Sequence, residues 1–253
     1  DCAKAAASVA LTSDSIRKYH GTGVAMPEKH LPLIAVPTTA GTGSEVTCVA
    51  VLSDHELGKK GPIVSNGFYP SIAMIDPELT YTLPPGIDVL CHALEGFWSK
   101  GHQPVCDALA LHACEIVFKY LRRAYKDPQD KEARAKMAEA SVIAGLAFTL
   151  PKTTSSHACS FPLTNLYHIP HGEACGLTLD CFARINAEVE NGRVHEFARK
   201  LGFADTYALA DAIHELKVDL GLRLDLKDFN LTDEQVAELV KTSHHPNMLN
   251  NPV

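Results

Sequence analysis

The sequence predicts a two-part chain, an α/β segment over residues 1–85 followed by an all-helical segment over residues 86–253. Two observations carry this. Three short apolar or β-branched runs, "LPLIAVP" (31–37), "VTCVAVLSD" (46–54) and "SIAMIDPEL" (71–79), all fall before residue 80, bounded by proline, glycine and Asp-Pro turn signals. From Gly86 onward almost every segment carries helical patterning. The boundary falls at Pro84–Pro85, because adjacent prolines stop any regular element.

Taken in order, "DCAKAAASVA" reads as helix from its first residues, with no capping residue before Asp1. A chain seldom opens in mid-helix, so further residues are expected to precede it. "LPLIAVP" has the continuous apolar texture of a buried parallel strand. It delivers the polar turn "PTTAGTGSEVT" (Pro37–Thr47), which holds two of the chain's 16 glycines. The runs at 46–54 and 71–79 read as further strands. The helices are "IDVLCHALEGFW", Pro104–Tyr125 with proline in its first turn, Asp130–Thr149, "GEACGLTLDCFARINAE", "GRVHEFARKLG", "YALADAIHELKVDLG" and "TDEQVAELVKTSHH". In the last, Thr232 and Gln235 have capping-box spacing. The sequence contains no internal repeat and no low-complexity tract.

Composition excludes several classes. With 46% hydrophobic and 21% charged residues in 253, the chain reads as soluble and globular. The formal net charge is -7 and no basic block occurs, which argues against nucleic acid as a partner. No apolar run approaches the roughly 18 residues of a membrane helix, and no signal peptide is visible. The eight cysteines form no CxxC pair. They read as reduced thiols, so the expected location is cytoplasmic.

Asp88 and His92 lie four apart within "GIDVLCHALE", one turn apart on a single helix face. Alone, the pair reads as well as a polar stripe on a core helix. Later, "SSHACSFPLTNLYHIPHGEA" brings His157, His168 and His171 within fifteen residues. His171 opens the helix at "PHG", and His157 stands at the end of the polar loop "KTTSS". A carboxylate with several imidazoles suits Fe(II) or Zn(II), in octahedral or tetrahedral geometry.

"PTTAGTGSEVT", "IDPELTYTLPP", "GIDVLCHALEGF" and "PHGEA", in this order, resemble the iron-containing (group III) alcohol dehydrogenase family. The resemblance runs almost from Asp1 to Val253; "DCAK" is similar to the end of the family's glycine-rich GGGSxxDxAK segment, and "NPV" to its near-terminal Asn-Pro. It implies a Rossmann-like dinucleotide-binding domain, incomplete here, over 1–85, and an all-α metal-binding domain over 86–253, in the architecture shared with dehydroquinate synthase. It also implies NAD or NADP as cofactor, one Fe(II) or Zn(II) ion, a small alcohol or aldehyde as substrate, and a homodimer or higher homo-oligomer. The metal ligands carry over onto Asp88, His92, His157 and His171. The cofactor contacts carry over onto Thr38, Thr39, Gly41 and Thr42 of the turn, and onto Lys60, Leu79 and Thr82. Glycines let the backbone approach a phosphate or ribose, and hydroxyls supply neutral hydrogen bonds.

Three departures from the family pattern matter. Nothing here matches the strand and glycine-rich turn that would precede Asp1. "TLPPGIDVL" is shorter than the family's connection. Phe161 stands where many members carry an auxiliary histidine four residues after the first histidine ligand, and Thr154 replaces a glycine. Phe161 is expected to line the pocket beside metal and nicotinamide, with His168 as a candidate for the missing proton handling. The hydroxyl-rich "KTTSSHACS" points to a polar or anionic substrate head, such as a phosphonate or sulfonate. Two other functions share this pattern: a metal-dependent lyase or hydrolase on the same architecture, and a non-catalytic descendant. NAD(P) reduction on adding alcohols separates the first, and bound metal and cofactor the second.

Overall fold

The computed structural model describes residues 1–54, 56, 59–81, 86–189 and 191–253. The first part contains α1 (Cys2–Val9), β1 (Ile34–Ala35), β2 (Val49–Asp54), β3 (Lys59–Val64) and β4 (Ile72–Ala73). β1 pairs with β4 in parallel, Ile34 opposite Ile72. β2 and β3 form an antiparallel hairpin, from Val49 opposite Val64 to Asp54 opposite Lys59. The expectation of a buried strand in "LPLIAVP" fails: Ile34 is 57% exposed and its partner Ile72 50%. A parallel strand is buried only when both faces of its sheet are covered, and this pair lies open. The strand expected from 46 begins at Val49, because Ser44–Val46 first closes a 3-10 turn. Ala50, Ile63 and Phe68 form a small core under the hairpin. Lys4 ties α1 to it, donating to Thr47 O at 2.9 Å, Thr47 Oγ1 at 3.1 Å and Val49 O at 2.8 Å.

The helical part comprises α2 (Asp88–Trp98), α3 (Pro104–Lys126), α4 (Lys131–Thr149), α5 (Ser155–Tyr167), α6 (His171–Leu177), α7 (Leu179–Asn186), α8 (Arg193–Lys200), α9 (Thr206–Asp219) and α10 (Asp233–Thr242). α2 is buried along its whole length. Its apolar residues join those of α3, α4, α7, α8 and α9 in one core, as befits a helix enclosed on all sides. Pro104 starts α3 after an extended Gln103, and the Thr232–Gln235 capping box is present. "GEACGLTLDCFARINAE" is two helices, not one. Thr178 leaves the helical region at φ -104°, ψ 0° between α6 and α7, consistent with the poor helix propensity of a β-branched residue. Asn186 and Asn251 exchange two amide hydrogen bonds (3.2 and 2.8 Å), pinning the "NPV" segment onto α7. Pro84–Pro85, where the boundary was placed, lies outside the described residues. All eight cysteines are free thiols, and among the described residues no helix is long and apolar enough to cross a membrane.

Candidate metal and cofactor site

Asp88, His92 and Glu95 occupy positions i, i+4 and i+7 of α2, which is one helix face. All three are at most 5% exposed. His157 comes to meet them from the first turn of α5, rather than from the end of a loop, and His171 from the first residue of α6. His157 Nε2 lies 3.0 Å from His92 Nε2 and 3.4 Å from Asp88 Oδ1. The His157 and His171 rings meet edge to face with centroids 5.5 Å apart. One donor atom each from Asp88, His157, His171 and Cys175 falls within 4.8 Å of the others. Cys175 Sγ is 3.8 Å from both ring nitrogens of His171. It therefore lies against that ring rather than opposite one lone pair.

The hydrogen bonds fix which nitrogen carries each proton. His92 Nδ1 faces the Gly41 carbonyl at 3.3 Å, so it bears the hydrogen and Nε2 presents a lone pair. The ring is clamped by Phe148, stacked at 4.2 Å and 10°. His157 Nδ1 donates to Glu95 Oε2, so its Nε2 also presents a lone pair. Two lone pairs thus face each other at 3.0 Å beside a buried carboxylate oxygen, Asp88 Oδ1, that accepts no hydrogen bond. Such an arrangement repels itself unless a cation lies within it. The cation is either a proton or a metal ion. Burial pushes the His92 imidazole down to about 4, so His92 stays neutral. On His157 burial also acts downward, but the charges of Cys175 and Glu95 outweigh it and hold the ring well above its usual range. Burial would raise the Asp88 carboxyl, yet His92, His157 and His171 hold it well below the usual carboxylate range. Three imidazoles and one carboxylate match the donor set of Fe(II) or Zn(II). The 3.0 Å spacing is also near the ~3.3 Å between nitrogens of a tetrahedral zinc site.

Glu95, absent from the sequence-predicted site, organises this cluster. Oε1 accepts from the N–H groups of Thr154 (3.2 Å), Ser156 (2.7 Å) and His157 (3.3 Å), and from Thr154 Oγ1 (2.9 Å). These N–H groups belong to the start of α5, so the carboxylate caps that helix while Oε2 sets the His157 tautomer. Trp98 Nε1 donates to Thr154 Oγ1 at 2.9 Å, completing a relay of donors. The threonine that replaces glycine at 154 is thus an internal support. Thr154, Ser155 and Ser156 of the polar "KTTSS" segment are buried, while its Lys152 and Thr153 line the cavity that reaches the cluster.

The turn "PTTAGTGSEVT" packs against α4. A Cβ on Gly43 (φ +57°) would stand 2.6 Å from Gly145 Cα, so only glycine fits. A Cβ on Gly41 would meet nothing within 4 Å, leaving open space above a backbone whose carbonyl anchors His92. A cavity of about 420 Å³ runs from this turn to the cluster, lined by Thr42, Lys60, Asp88, His92, His157 and His171, with Phe161 also on its wall. Phe161 is buried and meets His245 edge to face at 4.7 Å. Burial pushes the Lys60 ammonium down from its usual value. Thr38, Thr39 and Leu79 are exposed and lie outside this cavity's lining, and Thr82 is outside the described residues. His168 caps α5 in the left-handed region (φ 54°), exposed and away from the cavity lining. That position does not serve proton handling beside Phe161.

Fold and site together define a helical unit carrying a candidate metal site, joined to an α/β segment whose glycine turn reaches that site. The profile of iron-containing alcohol dehydrogenases matches residues 1–77, and that of the Fe-containing alcohol dehydrogenase C-terminal domain matches residues 82–253. The chain belongs to the iron-containing alcohol dehydrogenase family. A sulfoacetaldehyde reductase from Bifidobacterium kashiwanohense, crystallised with NAD+, is 69% identical over 99% of this chain and 68% of its own, with a TM-score of 0.95. A 1-propanol dehydrogenase of Salmonella typhimurium is 40% identical over 69% of this chain and 50% of its own. Alcohol dehydrogenase 4 of Schizosaccharomyces pombe is 34% identical over 95% of this chain and 59% of its own. The chain thus spans between half and six-tenths of the length of these two curated relatives.

Proposed function

We propose that the protein is a divalent-metal-dependent, NAD(P)-linked reductase of small aldehydes, acting on a sulfonate-bearing aldehyde with NADH. The observation that carries this is the meeting of Asp88, His92, His157 and His171 on the wall of a cavity that also holds Thr42 and Lys60. Asp88, His92, His157 and His171 would hold Fe(II) or Zn(II), and Thr38, Thr39, Gly41, Thr42, Lys60, Leu79 and Thr82 the dinucleotide. A bound ion supplies Lewis acidity that polarises a carbonyl and lowers the pKa of the corresponding alcohol. The chain's own residues do the rest. Glu95 and the Gly41 carbonyl hold the His157 and His92 N–H groups, so neither ring has a proton to give. Phe161 presents carbon and excludes water from the hydride path. The proton then comes from cofactor hydroxyls or solvent. The substrate class follows the relative that reduces sulfoacetaldehyde. The eight free thiols support a cytoplasmic location, and the family supports a homo-oligomer, which light scattering on the purified chain tests. The deciding experiment mixes the Fe(II)- or Zn(II)-loaded protein with sulfoacetaldehyde, propanal and each of NADH and NADPH. Metal-dependent oxidation of NADH is expected; no oxidation with any pair would reject the proposal.

A further inference from the structure

Lys152 has a backbone that disfavours its side chain. Its φ is +70°, in the left-handed region that side chains other than glycine seldom enter. Strain of this kind persists where the surroundings impose it and often marks a functional position. The surroundings here are a buried turn between α4 and α5. The Lys152 N–H bonds to Phe148 O at 2.8 Å, and Nζ donates to Thr149 O at 2.7 Å. Among the described residues no carboxylate stands within 4.0 Å of Nζ to form an ion pair. Lys152 lines the same cavity as the candidate metal ligands, as do Thr153 and Asn247. Asn247 Nδ2 donates to Thr153 Oγ1 at 2.8 Å, which leaves the Thr153 hydroxyl hydrogen and the second amide hydrogen of Asn247 to give. Lysine has three N–H donors, of which Thr149 O takes one and Cys48 Sγ, at 4.0 Å, a second. A cation with one N–H left to give and two neutral donors therefore share the wall of this cavity, and among the described residues no carboxylate pairs with the cation.

We propose that Lys152, Thr153 and Asn247 form the subsite for the anionic head of the substrate, a sulfonate or similar tetrahedral oxyanion, and so set specificity. The inference rests on the proposed aldehyde reduction. The cofactor's phosphates are a second possible source of the same oxyanion chemistry, and the test separates them.

Lys152→Gly suits the test because glycine accepts φ +70° without strain, so the variant should fold at least as well as the parent; thermal unfolding checks this. Lys152→Arg retains charge. For the metal-loaded protein, KM and kcat are measured for sulfoacetaldehyde and propanal, together with the KM for NADH. Binding of ethanesulfonate to the metal-free protein is followed by NMR titration. A charge-assisted hydrogen bond predicts that Lys152→Gly weakens ethanesulfonate and raises the sulfoacetaldehyde KM by about ten- to a hundredfold. The selectivity over propanal should fall by the same factor, the NADH KM should stay put, and Lys152→Arg should recover much of the loss. An unchanged sulfoacetaldehyde KM overturns the subsite. A rise confined to the NADH KM also overturns it and assigns the cation to the cofactor. If the parent reduces no aldehyde but binds ethanesulfonate through Lys152, the proposed reaction fails while the subsite stands.

Discussion

Replacing Glu95 by glutamine tests the site where its chemistry is most constrained. The carboxylate is fully buried and accepts hydrogen bonds through both oxygens. Glutamine keeps the shape but has one oxygen. If that oxygen remains beneath Thr154, Ser156 and His157, the amide N–H faces His157 Nδ1, donor against donor. The imidazole escapes by moving its proton to Nε2, the atom that points at His92 Nε2 across 3.0 Å. A protonated Nε2 cannot bind a metal. The alternative orientation keeps Nδ1 bonded but points amide hydrogens at the N–H groups that start α5, leaving buried donors unpaired at about 1–3 kcal/mol. Either route weakens the site. Loss of an outer carboxylate partner of a ligating histidine lowers metal affinity by roughly 10–100-fold. Competition with a chromophoric chelator measures this for Zn(II), and long-range 15N NMR of the imidazoles reports the tautomer. Unchanged affinity together with a hydrogen still on His157 Nδ1 would refute the reasoning. A mere loss of packing would lower the unfolding temperature without moving that tautomer.

Gly43→Ala should destabilise the chain by roughly 1–3 kcal/mol, since its Cβ meets Gly145 Cα at 2.6 Å at a backbone φ of +57°; urea unfolding with an unchanged midpoint would contradict this. Metal affinity should rise by about tenfold or more per pH unit below the raised His157 and His171 pKa values, because binding expels the protons of both rings, and level off above them. His92, pushed down to about 4, should add no slope above pH 5 or so. Titrations at several pH values with proton-release measurement check both statements. Phe161→His should keep metal, as the four candidate ligands are untouched, and should add a group titrating near neutrality to the pH dependence of kcat; superimposable profiles would show that Phe161 has no part in keeping the pocket free of titrating groups.

What could be read from the sequence divides along a physical line. Local signals survived. Asp88 and His92 share a helix face by spacing alone, Pro104 and Thr232 mark helix starts, and the ordered motifs named the family. Signals that depend on a partner far along the chain did not. Glu95 is i+3 from His92 and, read alone, is an ordinary helix carboxylate. Its role needs the donors of α5, 59 to 62 residues later. For the same reason "KTTSS" reads only as a polar loop although Thr154 through Ser156 are buried: a buried carboxylate needs buried donors, and only the fold brings the two together. His168 looked like a substitute for the missing histidine because it is near in sequence, whereas α5 carries it to the exposed end away from the cavity. Conversely, Phe161 lies one helical turn beyond His157, and helix periodicity was enough to place it on the cavity wall. Lys152 is the sharpest case. Sequence reading took its segment as polar, and polarity alone does not say where the charge goes. The left-handed backbone, the buried turn and the absence of a carboxylate neighbour among the described residues turn one more lysine into a candidate for choosing the substrate.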